Sequence, residues 1–158
     1  MRWGTLGILA FWLVVMAGLY LVMEQVRQPR AAVQAADGAL VIPRGSDGHF
    51  RVSGSVNGQP VQFMVDTGAS LVVVTDALAQ RAGLEGGQLT QFRTANGVRQ
   101  GRVVKAQAVA VGSFVMTGLS VGVGYSGDDF EDALLGQNFL QHFDVQLLRD
   151  RMVLRPHP

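Results

Sequence analysis

Phe63-Met64-Val65-Asp66-Thr67-Gly68-Ala69-Ser70-Leu71-Val72-Val73-Val74 closes two apolar runs on a single carboxylate. The β-branched residues on both sides favour extended backbone. Asp66-Thr67-Gly68 interrupts them with turn chemistry. A carboxylate set between two buried strands is unfavourable unless it is hydrogen-bonded or shared. Asp-Thr-Gly alone is a common turn tripeptide. The longer order of apolar strand, Asp-Thr-Gly-Ala-Ser and apolar strand is far more specific, and it marks Asp66 as a candidate catalytic group.

Upstream, Phe50, Val52, Gly54 and Val56 alternate with Arg51, Ser53 and Ser55, the period of a half-buried strand. Asn57-Gly58 is a hairpin turn signal, and Val61, Phe63 and Val65 carry the return strand up to Asp66. A carboxylate that follows directly from a hairpin sits on a rigid frame. Downstream, Asp76 to Ala82 reads as a short helix, with Thr75 or Asp76 as its cap and Gly83 as its stop. Leu89 to Thr94 and Val98 to Val104 form a second hairpin around Ala95-Asn96-Gly97. Its arms are polar and charged, so it buries little. It is either a solvated ribbon or, given its place after the Asp66 loop, a flap.

Ala106 to Val111, Phe114 to Met116 and Leu119 to Val123 continue as short strands with glycine-rich turns. Ser126 to Asp132 is an acidic, solvated loop without the spacing of a calcium site. Ala133-Leu134-Leu135-Gly136 leads into a helix over Asn138 to Phe143. Asp144 to Leu148 and Met152 to Arg155 pair across Arg149-Asp150, and Pro156 to Pro158 should fray.

The N-terminal stretch is different in kind. Trp3 to Met23 is 21 residues without a charge, against about 20 needed to cross the hydrocarbon core as a helix. The apolar core of a cleaved signal peptide is about 7–15 residues, so an uncleaved anchor fits better. Arg2 on one side and Arg27 and Arg30 on the other leave the orientation undecided by charge. The expected organisation is an anchor over 1–23, a tether over 24–38 and a folded domain over 39–158. Leu40 to Pro43 is either an added edge strand or loose linker.

With 13 Lys+Arg and 12 Asp+Glu the net charge is +1, which gives no reason to expect nucleic acid. There is no cysteine, so disulfides and thiolate metal sites are excluded.

The order of parts resembles a retropepsin-like aspartic protease. The matching pieces are the first hairpin, Asp66-Thr67-Gly68-Ala69-Ser70, the short helix, the hairpin with Thr94-Ala95-Asn96-Gly97, and Leu134-Leu135-Gly136 before a helix. More closely, the chain is similar to the single-domain bacterial branch. Gly48-His49-Phe50, Asn57-Gly58 and Gly136-Gln137-Asn138-Phe139-Leu140 also match that branch, and the likeness runs from about Leu40 to Leu154. It implies an all-β, closed barrel-like fold with one or two short helices after an N-terminal transmembrane helix. It also implies an inner-membrane protein whose protease domain lies in the periplasm.

The resemblance implies an aspartic endopeptidase without cofactor or metal. Two facing aspartates share one proton, so that one serves as base and the other as acid. The chain has one Asp-Thr-Gly; Asp37-Gly38 and Asp47-Gly48 lack the apolar flanks. The second carboxylate must then come from a second copy, with Asp66 and its mate on a twofold axis. A membrane tether would raise the effective concentration of both chains.

By the same resemblance Thr67 bonds across the dyad, and Gly68 lets backbone and water approach. Gly136 lies behind the loop, packed with Leu134 and Leu135. Thr94, Ala95, Asn96 and Gly97 cover the substrate, a protein or peptide. Ala69 stands where pepsin-like sites often carry a hydroxyl. Losing a donor to the charged form raises an aspartate's pKa, so the expected working pH lies nearer neutral than in gastric enzymes. A rate–pH profile tests this, and an optimum below about pH 3 contradicts it. Ser70 departs from the retroviral pattern, which has an acid there, so that acid's substrate contacts do not transfer.

A serine hydrolase built on Ser70 and His142 lacks the Gly-x-Ser-x-Gly elbow. His49, His142 and His157 have no ligand spacing. The competing reading is a catalytically silent, membrane-tethered dimer of the same fold that binds extended peptides.

Overall fold

In a computed structural model of the chain, residues 3–27, 31–94, 97–125 and 133–157 are described. They fall into two units, Met1–Arg30 and Ala31–Pro158. The first is the helix α1 (Trp3–Arg27). Its described apolar side chains, among them Leu13 and Val14 at 72% exposure, face outward. Among the described residues no helix is long and apolar enough to cross a membrane. The expected transmembrane anchor therefore has no support from the described residues.

The second unit begins with β1 (Val33–Gln34), β2 (Leu40–Pro43), β3 (Arg51–Val56), β4 (Gln59–Val65), β5 (Val72–Thr75) and α2 (Asp76–Arg81). It continues through β6 (Gln88–Thr94), β7 (Gly97–Lys105), β8 (Ala108–Val111), β9 (Phe114–Thr117) and β10 (Ser120–Tyr125). It ends with β11 (Ala133–Leu135), α3 (Gln137–Leu140), β12 (Phe143–Leu147) and β13 (Arg151–Pro156). Nine strands form one sheet in the order β6-β7-β10-β5-β11-β4-β3-β8-β9, and four form another in the order β1-β2-β13-β12.

The nine-stranded sheet shows why period-2 patterning was informative. Val52, Phe63, Ala133, Val74 and Val123 stand directly opposite one another across five strands, and none is more than 2% exposed. Each large side chain buried this way contributes about 1.5–3 kcal/mol. One residue along each strand, Met64, Leu134, Val73, Gly122 and Val103 form a second row on the opposite face. The side chains of that row are only half-buried.

Glycines and caps fix the connections. Asn57 takes φ 49° and Gly58 φ 80° in the first hairpin turn. The Asn57 side chain accepts from the Gln107 and Ala108 amides and donates to the Ala82 carbonyl. It thus ties the turn to β8 and to the end of α2. Thr75 caps α2 by accepting from the Leu78 amide at 3.2 Å, as expected.

Several expectations are corrected. The barrel is not closed: among the described residues neither sheet pairs its last strand with its first, and β6 and β9 remain edges. Ala133–Leu135 is a strand, parallel to β4 and antiparallel to β5. The helix after it spans Gln137–Leu140 instead of Asn138 to Phe143, because Phe143 already pairs with Pro156. That pairing also means Pro156 does not fray. β2 is an inner strand between β1 and β13, and β1 lies within the expected tether. The acidic loop 126–132 lies outside the described residues.

Candidate active site

Asp66 is half-buried at the end of β4, where the chain must cross to β5. β11 lies between these two strands, so the crossing loop passes around its end. The Asp66 amide donates to the Leu135 carbonyl at 3.1 Å. Its carboxylate Oδ1 accepts from the Gly68 amide at 2.8 Å, and its carbonyl accepts from the Ala69 amide at 3.3 Å. These close an Asx-type turn. A Cβ at Gly68 would stand 3.2 Å from the same Oδ1, so glycine lets the backbone lie tightly against the acid.

The far side of the loop is held by α3. The Gln137 and Asn138 amides donate to the carbonyls of Ala69 and Ser70 at 2.8 and 3.1 Å. These N–H groups open a helix and would otherwise lack partners. The Gln137 side chain donates to the Thr67 carbonyl at 2.9 Å. Asn138 Oδ1 accepts from the Val72 amide at 2.8 Å, while its Nδ2 donates to the Ser120 carbonyl at 2.7 Å. Gly136 sits behind the loop: a Cβ there would overlap the Leu71 carbonyl and stand 2.8 Å from the Ala69 oxygen. Leu135 is fully buried and Leu134 half-buried beside them.

The structure therefore brings Asp66, Thr67, Gly68, Ala69, Ser70, Leu134, Leu135 and Gly136 together. Gln137 and Asn138 belong to the same assembly, although their roles were not legible in sequence. The signal available was their place directly after Leu134-Leu135-Gly136. Thr94 and Gly97 are ladder partners at the described end of the β6–β7 hairpin; Ala95 and Asn96 lie outside the described residues. Thr67 is exposed. His157 faces Asp144 at 3.4 Å. Among the described residues no group of three or more His, Cys, Asp or Glu side chains is placed to hold a metal.

A half-buried carboxylate on a loop fixed from both sides is suited to proton transfer at a defined position.

Comparison with known proteins agrees with this geometry. Residues 52–142 match the family model described as "gag-polyprotein putative aspartyl protease". The chain is 34% identical over 122 residues to an uncharacterized protein of Rickettsia prowazekii (strain Madrid E), covering 74% of this chain and 51% of that one. It is 30% identical over 120 residues to an uncharacterized protein encoded in the cobV 5′ region of a Sinorhizobium species, covering 73% and 51%. The chain thus spans about half the length of the curated relatives it matches. Among solved structures it resembles the crystal structure of a retropepsin-like aspartic protease from Rickettsia conorii, with TM-score 0.60 and 30% identity, covering 74% of this chain and 88% of that one. The matched region takes in the Asp66 loop, β11 and α3, and on these grounds the chain belongs to the retropepsin-like aspartic protease family.

Proposed function

We propose that the protein is an aspartic endopeptidase that works as a homodimer, each copy supplying Asp66 to a shared dyad. The observation that carries this is the fixing of the Asp66 loop by β11 and α3, which holds one carboxylate in place and leaves it half exposed. Two carboxylates about 3 Å apart share a proton, since both cannot ionise cheaply. The ionised member takes a proton from a bound water as its oxygen attacks the peptide carbonyl carbon. The protonated member gives its proton to the carbonyl oxygen. Collapse of the tetrahedral intermediate then breaks the C–N bond, with a proton passing to the leaving amine.

The half-buried row of Met64, Leu134 and Val73 lies beside this loop. It offers an apolar shelf for side chains of an extended peptide. Thr94 to Gly97 would close over that peptide. We further propose that the uncharged Trp3–Met23 run holds the chain in the inner membrane with the Ala31–Pro158 unit in the periplasm. That reading rests on the uncharged sequence alone. Resistance of the full chain to alkaline extraction from membranes supports it, and release overturns it.

The test of activity is identification of cleavage products by mass spectrometry on a peptide library. Cleavage that is blocked by a statine-type inhibitor and by Asp66→Asn is expected. Binding without cleavage, or cleavage that survives Asp66→Asn, would contradict the proposal.

A further inference from the structure

The β6–β7 hairpin is polar and exposed along most of its length, with Leu89 at 85% and Val98 at 60% exposure. Within β6 the Phe92 side chain is half-buried. Its ring lies over two glycines on two different strands. A Cβ at Gly101 of β7 would stand 2.7 Å from Phe92 Cε2 and 3.0 Å from Cδ2. A Cβ at Gly122 of β10 would stand 2.9 Å from Cζ and 3.2 Å from Cε1. One edge of the ring therefore rests on each glycine, in a recess that any side chain at either position would fill. Gly122 pairs with Val73, which pairs with Leu134. The recess thus opens on the same half-buried row that borders the Asp66 loop.

Among the described residues the ladder of β7 with β10 runs through Arg102 to Lys105. The remaining hairpin, from Gly97 to Gly101 and its β6 partners, projects beyond that ladder. A ring docked on Gly101 and Gly122 adds an attachment between the projecting part and the sheet. We infer that Phe92 is a positioning residue: seated on Gly101 and Gly122, it latches the β6–β7 hairpin against the face that borders Asp66, and lifting the hairpin requires the ring to leave that recess. Its consequence for catalysis rests on the protease reading; the latch does not. A looser hairpin must be ordered by each substrate, which weakens apparent binding while leaving the chemistry of the bound complex intact.

The test is hydrogen exchange on the full chain, with steady-state kinetics on a cleaved peptide beside it. Phe92→Ala should raise exchange across Gln88–Lys105 about tenfold or more, while peptides containing Asp66 and β11 stay protected. Gly122→Ala, which displaces the ring without removing it, should do the same, and Phe92→Leu should restore most of the protection. The two alanine changes combined should be less than additive, because they remove one contact. KM should rise with kcat within about twofold, whereas simple loss of folded protein would lower apparent kcat and leave KM alone. Unchanged exchange in both alanine variants overturns the latch, and faster exchange with unchanged KM overturns the positioning role. If the wild-type chain cleaves nothing, the protease reading falls and the exchange result alone decides the latch.

Discussion

The Asp66 loop and the β6–β7 hairpin are held in opposite ways. The loop is fixed by backbone and amide hydrogen bonds from elements far along the chain, with glycines where backbone meets backbone. The hairpin is fixed mainly by its own ladder, by its pairing to β10 and by one half-buried ring. The first arrangement holds a carboxylate in place. The second leaves the end of the hairpin that projects past β10 tied to the sheet by fewer groups. Rigidity and mobility here are separate local properties, set by how many groups outside the segment bond to it.

The strongest way to break this contrast is Gly136→Ala. The added methyl overlaps the Leu71 carbonyl, so backbone must shift. A loss of about 3 kcal/mol or more, or failure to fold, is expected in denaturant titration. Asn138→Ala should follow. It strips partners from the Val72 amide and the Ser120 carbonyl, and about 2–3 kcal/mol should be lost. Asn138→Asp keeps the acceptor for Val72 but not the donor to Ser120, and should fall between Asn138→Ala and wild type. On the hairpin, Leu89→Thr should change stability by no more than about 0.5 kcal/mol, since the side chain is almost wholly exposed. A larger loss there would mean that the hairpin is buried against something.

The smallest effect should come from Asp47, outside both regions. Burial alone would raise its pKa, but the hydrogen bonds from Arg51 and the His49 amide and the charge of Arg51 together hold it below the usual carboxylate value. A depressed pKa contributes stability above the unfolded value and loses it as pH falls through the folded one. Asp47 is exposed and Arg51 half-buried, so solvent screens the pair and Asp47→Asn should cost at most a few tenths of a kcal/mol at pH 7. The difference from wild type should shrink as the pH falls through the lowered pKa of the folded carboxyl.

The same contrast explains what was legible in the sequence. The hairpins were readable because Asn57-Gly58 and Asn96-Gly97 interrupt alternating strands, and the turn signal is local. Asp66 was readable because an acid between β-branched runs conflicts with its surroundings. β11 was not, because Ala133-Leu134-Leu135 is three apolar residues with no period, and such a run suits strand and helix alike. The hold of Asn138 on Val72 joins residues 66 apart, and no local pattern encodes it. The open sheet was missed because closure depends on whether edges meet, which strand patterning leaves unspecified. The Phe92 recess was hidden for a related reason: Gly101 and Gly122 look like strand-weakening residues until a ring is found above them.

The central claim is that two copies must each contribute Asp66. Wild-type and Asp66→Asn chains co-assembled in known ratios test it directly, read as peptide cleavage at constant total protein. If only doubly wild-type pairs are active, an equal mixture retains roughly one quarter of the all-wild-type rate, and activity follows the square of the wild-type fraction. Retention of one half, linear in the wild-type fraction, would mean that a single chain carries a complete site and would contradict the account.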